Sequence, residues 1–246
     1  MERPRLLLVP MLTELEWVVK PLLEEWAEVA SYDAPGVGDE PAVDDPGSEE
    51  TGLRGLEEAD RRGWERFVVV ADEFGVVAAC HVAAVAAGRV QGLALGHARL
   101  SNSSDGPRPA INREVLHGIQ SLIRMDNRTF VNQLFKMTGG EGSAGGYQDE
   151  LIDEYARRVP LDATEHFYNS RMEEGQRLSE RLSSLDVPML LAQHKGCLLF
   201  TEEGFEDAVA ALPNARTTGY TNKPSTSPEF SEELREFCAS LATSRA

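Results

Sequence analysis

The sequence predicts an α/β protein, with a mostly parallel sheet flanked by helices on both faces and a helical cap. Three observations carry this. Short runs rich in Val, Leu and Ala alternate with amphipathic helical patterns, the runs are apolar almost throughout, and over residues 99–185 no convincing strand occurs. A strand apolar on both faces is one covered on both faces, which is the situation of parallel strands joined by helical crossovers.

Taken in order, "RLLLV" (5–9) is the first strand, and "ELEWVVKPLLEEWAE" (14–28) has helical spacing and is expected to form the first helix. "VASYD" (29–33) returns as a strand, "TGLRGLEEADRRG" (51–63) as a helix, and "RFVVVA" (66–71) as a buried strand. A sharp turn at "ADEFG" (71–75) leads into a small-residue helix and then the strand "VQGLALG" (90–96). The insertion follows, with helical patterns at 112–137, 147–159 and 162–185 and a Gly/Ser stretch, "TGGEGSAGG" (138–146), read as a mobile hinge. The sheet resumes with "VPMLLAQ" (187–193), the helix "TEEGFEDAVAALP" (201–213) and the strand "ARTTGYT" (215–221). "SPEFSEELREFCASLA" (227–242) closes the chain, with a serine N-cap before acidic first-turn residues. Residues 1–98 and 186–246 are thus assigned to the core and 99–185 to a cap over a pocket at the strand ends. The aromatic and methionine residues of the insertion (Met125, Phe130, Phe135, Met137, Tyr147, Tyr155, Phe167, Tyr168, Met172) are expected mostly in its core, with some lining an apolar pocket.

Composition narrows the function. The 246 residues carry 24 Lys+Arg against 41 Asp+Glu, a formal net charge of -17 that repels phosphate backbones and anionic lipid, so neither nucleic acid nor membrane is an expected partner. The apolar run near Met1 is strand-length and is followed by Glu14 and Glu16, unlike a signal peptide or a membrane span; a cytoplasmic location is expected. Cys80, Cys197 and Cys238 are far apart and odd in number, and no His/Cys/Asp group stands at ligand spacing, so no disulfide framework, metal or cofactor is expected. The Gly-rich "GGEGSAGG" lacks the lysine and the strand-to-helix context of a phosphate loop.

In landmarks and their order, the chain resembles the α/β-hydrolase superfamily over essentially its whole length. The matching pieces are "LLLVP", the "YDAPGVGDEP" turn (32–41), the "ADEFG" elbow, "VQGLALGHA", the cap, "DVPMLLAQHKG", "LPNAR" and "PEFSEELREF". The resemblance implies a nucleophile at the elbow apex, an acid after "MLLAQ" and a histidine in "TNKPSTSPEF". All three types are missing: Glu73 stands at the apex, Gly196 or Cys197 near the acid's place, and all five histidines (His81, His97, His117, His166, His194) precede the last segment. Val9-Pro10 replaces the His-Gly pair that the resemblance implies at the first strand's end; Pro10 has no N–H, which leaves Met11 or Leu12 to donate.

Serine-type acyl transfer is therefore not expected, since a glutamate cannot form an acyl-enzyme as serine does and deacylation would lack its general base; a covalent role for Glu73 is the minor alternative. Proton-transfer chemistry remains, with Glu73 as acid or base in an elimination, isomerisation, cyclisation or addition on a small apolar metabolite, such as a tailoring step of secondary metabolism. His97, ending the strand "VQGLALG", is its candidate dyad partner, and His194 approaches from the neighbouring strand. Met11 and Phe74 would flank an oxyanion pocket through backbone N–H groups, and Asp72 takes a structural or helix-N-terminal role. Asp33 is read as a loop organiser and His81 as a packed or surface residue. The competing reading is a catalytically inactive pseudohydrolase that binds a small molecule or another protein. A homodimer is left open.

Overall fold

The computed structural model describes residues 3–44, 46–123, 126–138, 149–165, 172, 175 and 178–243. Six strands form one all-parallel sheet: β1 (Arg5–Val9), β2 (Glu28–Ser31), β3 (Phe67–Ala71), β4 (Val90–Gly96), β5 (Met189–His194) and β6 (Arg216–Tyr220), in the order β2-β1-β3-β4-β5-β6. The reason is in the alternation of side chains. Leu7 and Val9 of β1, Phe67, Val69 and Ala71 of β3, and Leu93 and Leu95 of β4 join one buried cluster, while Leu6, Leu8, Val68, Val70 and Ala94 between them join another on the opposite face. Both faces are dry, so helices must cover both.

On the first face lie α2 (Ser48–Arg61) and α3 (Gly75–Val85). α3 is apolar all round and almost wholly buried, which its run of Ala, Val and Gly permits. On the other face lies α9 (Pro228–Thr243), burying Phe230, Leu234, Phe237 and Leu241. α1 (Lys20–Glu24) packs with it and α8 (Glu202–Ala211) follows β5.

One predicted detail differs. The expected helix over 14–28 is a single 3₁₀ turn (Glu14–Glu16) followed by the short α1, because Pro21 is tolerated only in a helix's first turn and so splits the pattern. The Ser227 hydroxyl bonds the Glu229 carboxylate at 2.5 Å.

Between β4 and β5, apart from a single bridge pairing Ile111 with Phe200, the regular elements among the described residues are helical: α4 (Arg113–Leu122), α5 (Asn127–Thr138), α6 (Asp149–Arg158) and α7 (Leu178–Ser183). Leu116, Ile119, Phe130, Val131, Ile152 and Tyr155 pack in one cluster with Met11, Leu12 and Phe74, so these helices sit on the carboxyl ends of β1 and β3. Phe130 and Tyr155 are buried as expected. Met125, Tyr147, Phe167, Tyr168, residues 139–146 of the Gly/Ser stretch, and the side chains of Phe135 and Met137 lie outside the described residues. Among the described residues, no helix is long and apolar enough to cross a membrane.

The chain leaves β1 towards β2 on one side and, after α2, crosses back to β3 on the other. The loops after β1 and β3 therefore part at a topological switch point, where α/β proteins place their sites. Gly75 lets them meet. A Cβ there would stand 3.1 Å from the carbonyl oxygens of both Val9 and Pro10, whereas one at Gly88 would meet nothing within 4 Å. Gly75→Ala is expected to lower stability by about 1–3 kcal/mol through overpacking, and Gly88→Ala to leave it unchanged or slightly raised, as read from urea unfolding midpoints.

Candidate functional site

The elbow begins where β3 ends. Asp72, Glu73 and Phe74 turn the chain into α3, and Glu73 adopts φ 49°, a left-handed conformation that non-glycine residues rarely hold. The Glu73 side chain is buried, and its Oε2 accepts a hydrogen bond from Lys223 Nζ at 2.8 Å. Lys223 is also buried, and it comes from "TNKPSTSPEF", the segment in which the resemblance calls for a histidine. A fixed cation thus faces the apex where a titrating imidazole was expected. Glu73 Oε1 is buried and finds no partner among the described residues.

Asp72 is the hub beside it. Its Oδ1 accepts from the Glu73 N–H at 2.9 Å and from His97 Nδ1 at 2.6 Å, and its Oδ2 from the Ser225 N–H at 3.0 Å. Glycine at 96 makes room, since a Cβ there would lie 2.3 Å from Asp72 Oδ1. Burial works against the Asp72 charge, but the His97 charge and hydrogen bond, then Lys223 and the Ser225 N–H, outweigh it and hold the carboxyl well below the usual range. His97 is the second residue with a left-handed backbone (φ 51°). Burial would lower its pKa, yet Asp72 and then Cys197 raise it to about 10. Its two ring nitrogens face Asp72 and His194, whose Nδ1 lies 3.3 Å from His97 Nε2, so His97 contacts Asp72 where a dyad with Glu73 was expected.

The backbone donors at the end of β1 are already engaged. Glu16 Oε2 accepts from the Met11 N–H at 2.7 Å, and Oε1 from Leu12 at 2.9 Å, Thr13 at 3.2 Å and the Tyr155 hydroxyl at 3.0 Å. Thr13 and Glu16 form a capping box around the 3₁₀ turn, which places this carboxylate where an oxyanion would otherwise sit. Burial pushes the Glu16 carboxyl up to about 7 against the pull of Lys223 and the three N–H groups. The recess bounded by Met11, Glu16, Trp17, Glu73, Lys223 and Ser225 has a free volume of about 0 Å³, too small for a water.

Arg99 closes the other side. Its Nη1 donates to the carbonyls of Glu73 (2.9 Å) and His97 (3.0 Å), its Nε to Asn102 Oδ1, and its guanidinium lies over the rings of Phe74 and Phe200. Burial lowers its pKa to about 10 despite the attraction of Glu73 and Asp72. Beyond it, Cys197 nears both His97 and His194. Burial would raise its thiol, but the His97 charge and hydrogen bonds from both imidazoles and the Phe200 N–H bring it down to about 6. Elsewhere Asp33 organises its loop, accepting from the Thr13 hydroxyl and the Glu14 N–H and pairing with Arg158 at 2.8 Å.

Of the residues singled out from sequence, the structure gathers Met11, Asp72, Glu73, Phe74, His97 and His194 at the strand ends. It adds Glu16, Arg99, Cys197 and Lys223. The "TELE" capping box (13–16) and the lysine in the last segment were visible signals for two of these.

No family model and no curated protein sequence matches the chain. Solved structures do. A hydrolase from Oleispira antarctica superposes with a TM-score of 0.77 at 16% identity, covering 97% of this chain and 92% of its own. An enol-lactonase from Burkholderia xenovorans LB400 gives 0.73 at 16% identity, covering 99% and 92%, and a bromoperoxidase from Bacillus anthracis gives 0.76 at 15%, covering 99% and 92%. The fold is the α/β-hydrolase fold. At these identities the likeness extends to the scaffold and not to the reaction.

Within that fold Glu73 and Lys223 form a buried ion pair. Lys223→Met is expected to cost about 3–5 kcal/mol by leaving a buried carboxylate unpaired, and Glu73→Leu combined with Lys223→Met to recover most of it. Urea unfolding of the two variants checks this. Glu16 has a folded pKa of about 7 against 4.5 when unfolded, so its stabilising contribution is full below pH 4.5 and is lost as pH rises through 7. The loss amounts to at most about 3 kcal/mol. Glu16→Gln should flatten this part of the stability profile between pH 4.5 and 7, measured as the difference from wild type.

Proposed function

We propose that this chain is a hydrolase-fold protein without hydrolase chemistry, a binding module for a small ligand or another protein whose catalytic apex has become a buried ion pair. One observation carries the reading: Lys223 Nζ lies 2.8 Å from Glu73 Oε2 with both side chains buried. A nucleophile must meet its substrate, and Glu73 faces a recess with no room for one. Acyl transfer also needs donors aimed at a developing oxyanion, and those of Met11 and Leu12 already serve Glu16. The two losses are independent, and both would have to be reversed before an ester could react.

A second reading has its own observation. Glu73 Oε1 is a buried acceptor lacking a partner among the described residues, at an apex that keeps its left-handed backbone. Uncompensated polar atoms and backbone strain collect at working sites. That favours proton transfer by Glu73 on a small apolar metabolite, after the helices above the apex part.

A mass-spectrometric screen separates the two. Wild-type protein and Glu73→Gln are incubated with metabolite extract, and bound and altered masses are recorded. The binding reading expects compounds held unchanged, nothing consumed, no labelling by fluorophosphonate and no cleavage of p-nitrophenyl esters above background. A compound consumed by the wild type and untouched by Glu73→Gln would overturn it in favour of proton transfer.

A further inference from the structure

Neither reading uses the cluster one strand along. His97, His194 and Cys197 each offer a ligand atom, and these atoms all lie within 4.8 Å of one another. We propose that they form a binding site for one divalent cation of the zinc class, held by His97 Nε2, His194 Nδ1 and Cys197 Sγ with a water in the fourth position. The proposal stands whether or not Glu73 does chemistry.

The geometry of the nitrogens comes first. His97 Nε2 and His194 Nδ1 are 3.3 Å apart. For a tetrahedral ion with metal–nitrogen bonds of about 2.0–2.1 Å, the nitrogens should be separated by about 3.3 Å. The chain supplies the ligands economically. His194 and Cys197 bracket the turn "HKGC", in which Gly196 takes φ 84° and the Cys197 N–H closes back on the His194 carbonyl at 3.4 Å. The turn thereby brings His194 and Cys197 together, so that with His97 their ligand atoms lie within 4.8 Å of one another. His97 arrives from the adjacent strand, its N–H bonded to the Ala192 carbonyl at 2.9 Å.

The surroundings suit a metal as well. Asp72 pairs with His97 Nδ1 and is itself fixed by two backbone N–H groups, so Nε2 is the ring nitrogen turned towards the cluster, and it gives up its proton to the solvent when a metal binds. Carboxylate-to-imidazole support of this kind orients metal-bound histidines, and the Phe200 N–H on Cys197 Sγ at 3.4 Å is a donor to the thiolate. Against His97 and His194 lies a cavity of about 10 Å³, lined also by Gln193 and Thr201, which is the space of about one water. Two imidazoles and a thiolate select zinc-class ions over calcium or magnesium, which take oxygen ligands.

The test uses the full chain, stripped with chelator and titrated with Zn²⁺ and with Co²⁺. One equivalent should bind. Co²⁺ should give a thiolate-to-metal charge-transfer band and the visible bands of a tetrahedral ion, and Zn²⁺ should slow alkylation of Cys197 by iodoacetamide. Cys197→Ser and His194→Gln should each abolish saturable binding, while Cys80→Ser and Cys238→Ser bind as wild type. Circular dichroism confirms that each variant is folded; if one is not, the charge-transfer band and the alkylation rate of the wild type decide. Absence of a stoichiometric site, a Co²⁺ spectrum unchanged in Cys197→Ser, or alkylation of Cys197 equally fast with and without Zn²⁺ would overturn the proposal, the last leaving a free thiolate–imidazolium pair.

Discussion

Everything at the carboxyl end of this sheet depends on how three buried carboxyl groups are balanced. Glu16, Asp72 and Glu73 are drawn from the loops after β1 and β3, and Lys223, Arg99 and His97 are set among them. An isolated charge in such a place costs several kcal/mol, so no member can change alone without its neighbours shifting charge or position. The same balance holds the backbone. Glu73 and His97 both sit in the left-handed region, and one Arg99 nitrogen donates to the carbonyls of both. Backbone strain on the order of 1–3 kcal/mol per residue persists only where its surroundings over-determine it. Here a buried guanidinium, flanked by the rings of Phe74 and Phe200, supplies that restraint.

The balance also accounts for the crowding at the elbow apex. A strand-to-helix turn with a left-handed apex is useful to a hydrolase because it pushes one side chain into the open. In this chain the same turn pushes Glu73 against Lys223, and the exposure is removed by filling the space from three sides: Glu16 from the loop after β1, Arg99 from that after β4, and Lys223 from that after β6. Tyr155 of α6 completes the closure by bonding Glu16, so the helices between β4 and β5 are tied to the apex by a polar contact as well as by their apolar cluster.

The strands were legible because their apolar residues alternate between two buried faces, and that pattern depends on little beyond the local chain. β4 runs over the residues that the sequence assigns to it, and the other strands begin and end within two residues of expectation. The first helix was misread for a local reason, the position of Pro21. The site was harder. Glu73, Asp72, His97 and His194 could be picked out because they stand at strand ends, but their partners are set by long-range packing. Lys223 is 150 residues from Glu73, and Cys197 is 100 from His97, so no spacing rule links either pair. His97 was assigned to Glu73 on proximity of strand ends; Asp72, the neighbour one residue earlier, receives its bond because the turn sends the two carboxylates in different directions.

That divergence makes Asp72 the point where two regions meet. Its carboxylate accepts the Glu73 N–H that shapes the elbow, the Ser225 N–H that follows Lys223, and the His97 ring that faces His194 and Cys197. A carboxylate bonded on three sides has no freedom to serve one partner differently without loosening another. The orientation of His97 is therefore set by the same turn that delivers Glu73 to Lys223. The residues around the apex are held together with it, because a group bonded to Asp72 stays positioned as long as the elbow does. The left-handed apex thus bears on the placing of His97 and its neighbours as much as on that of Glu73.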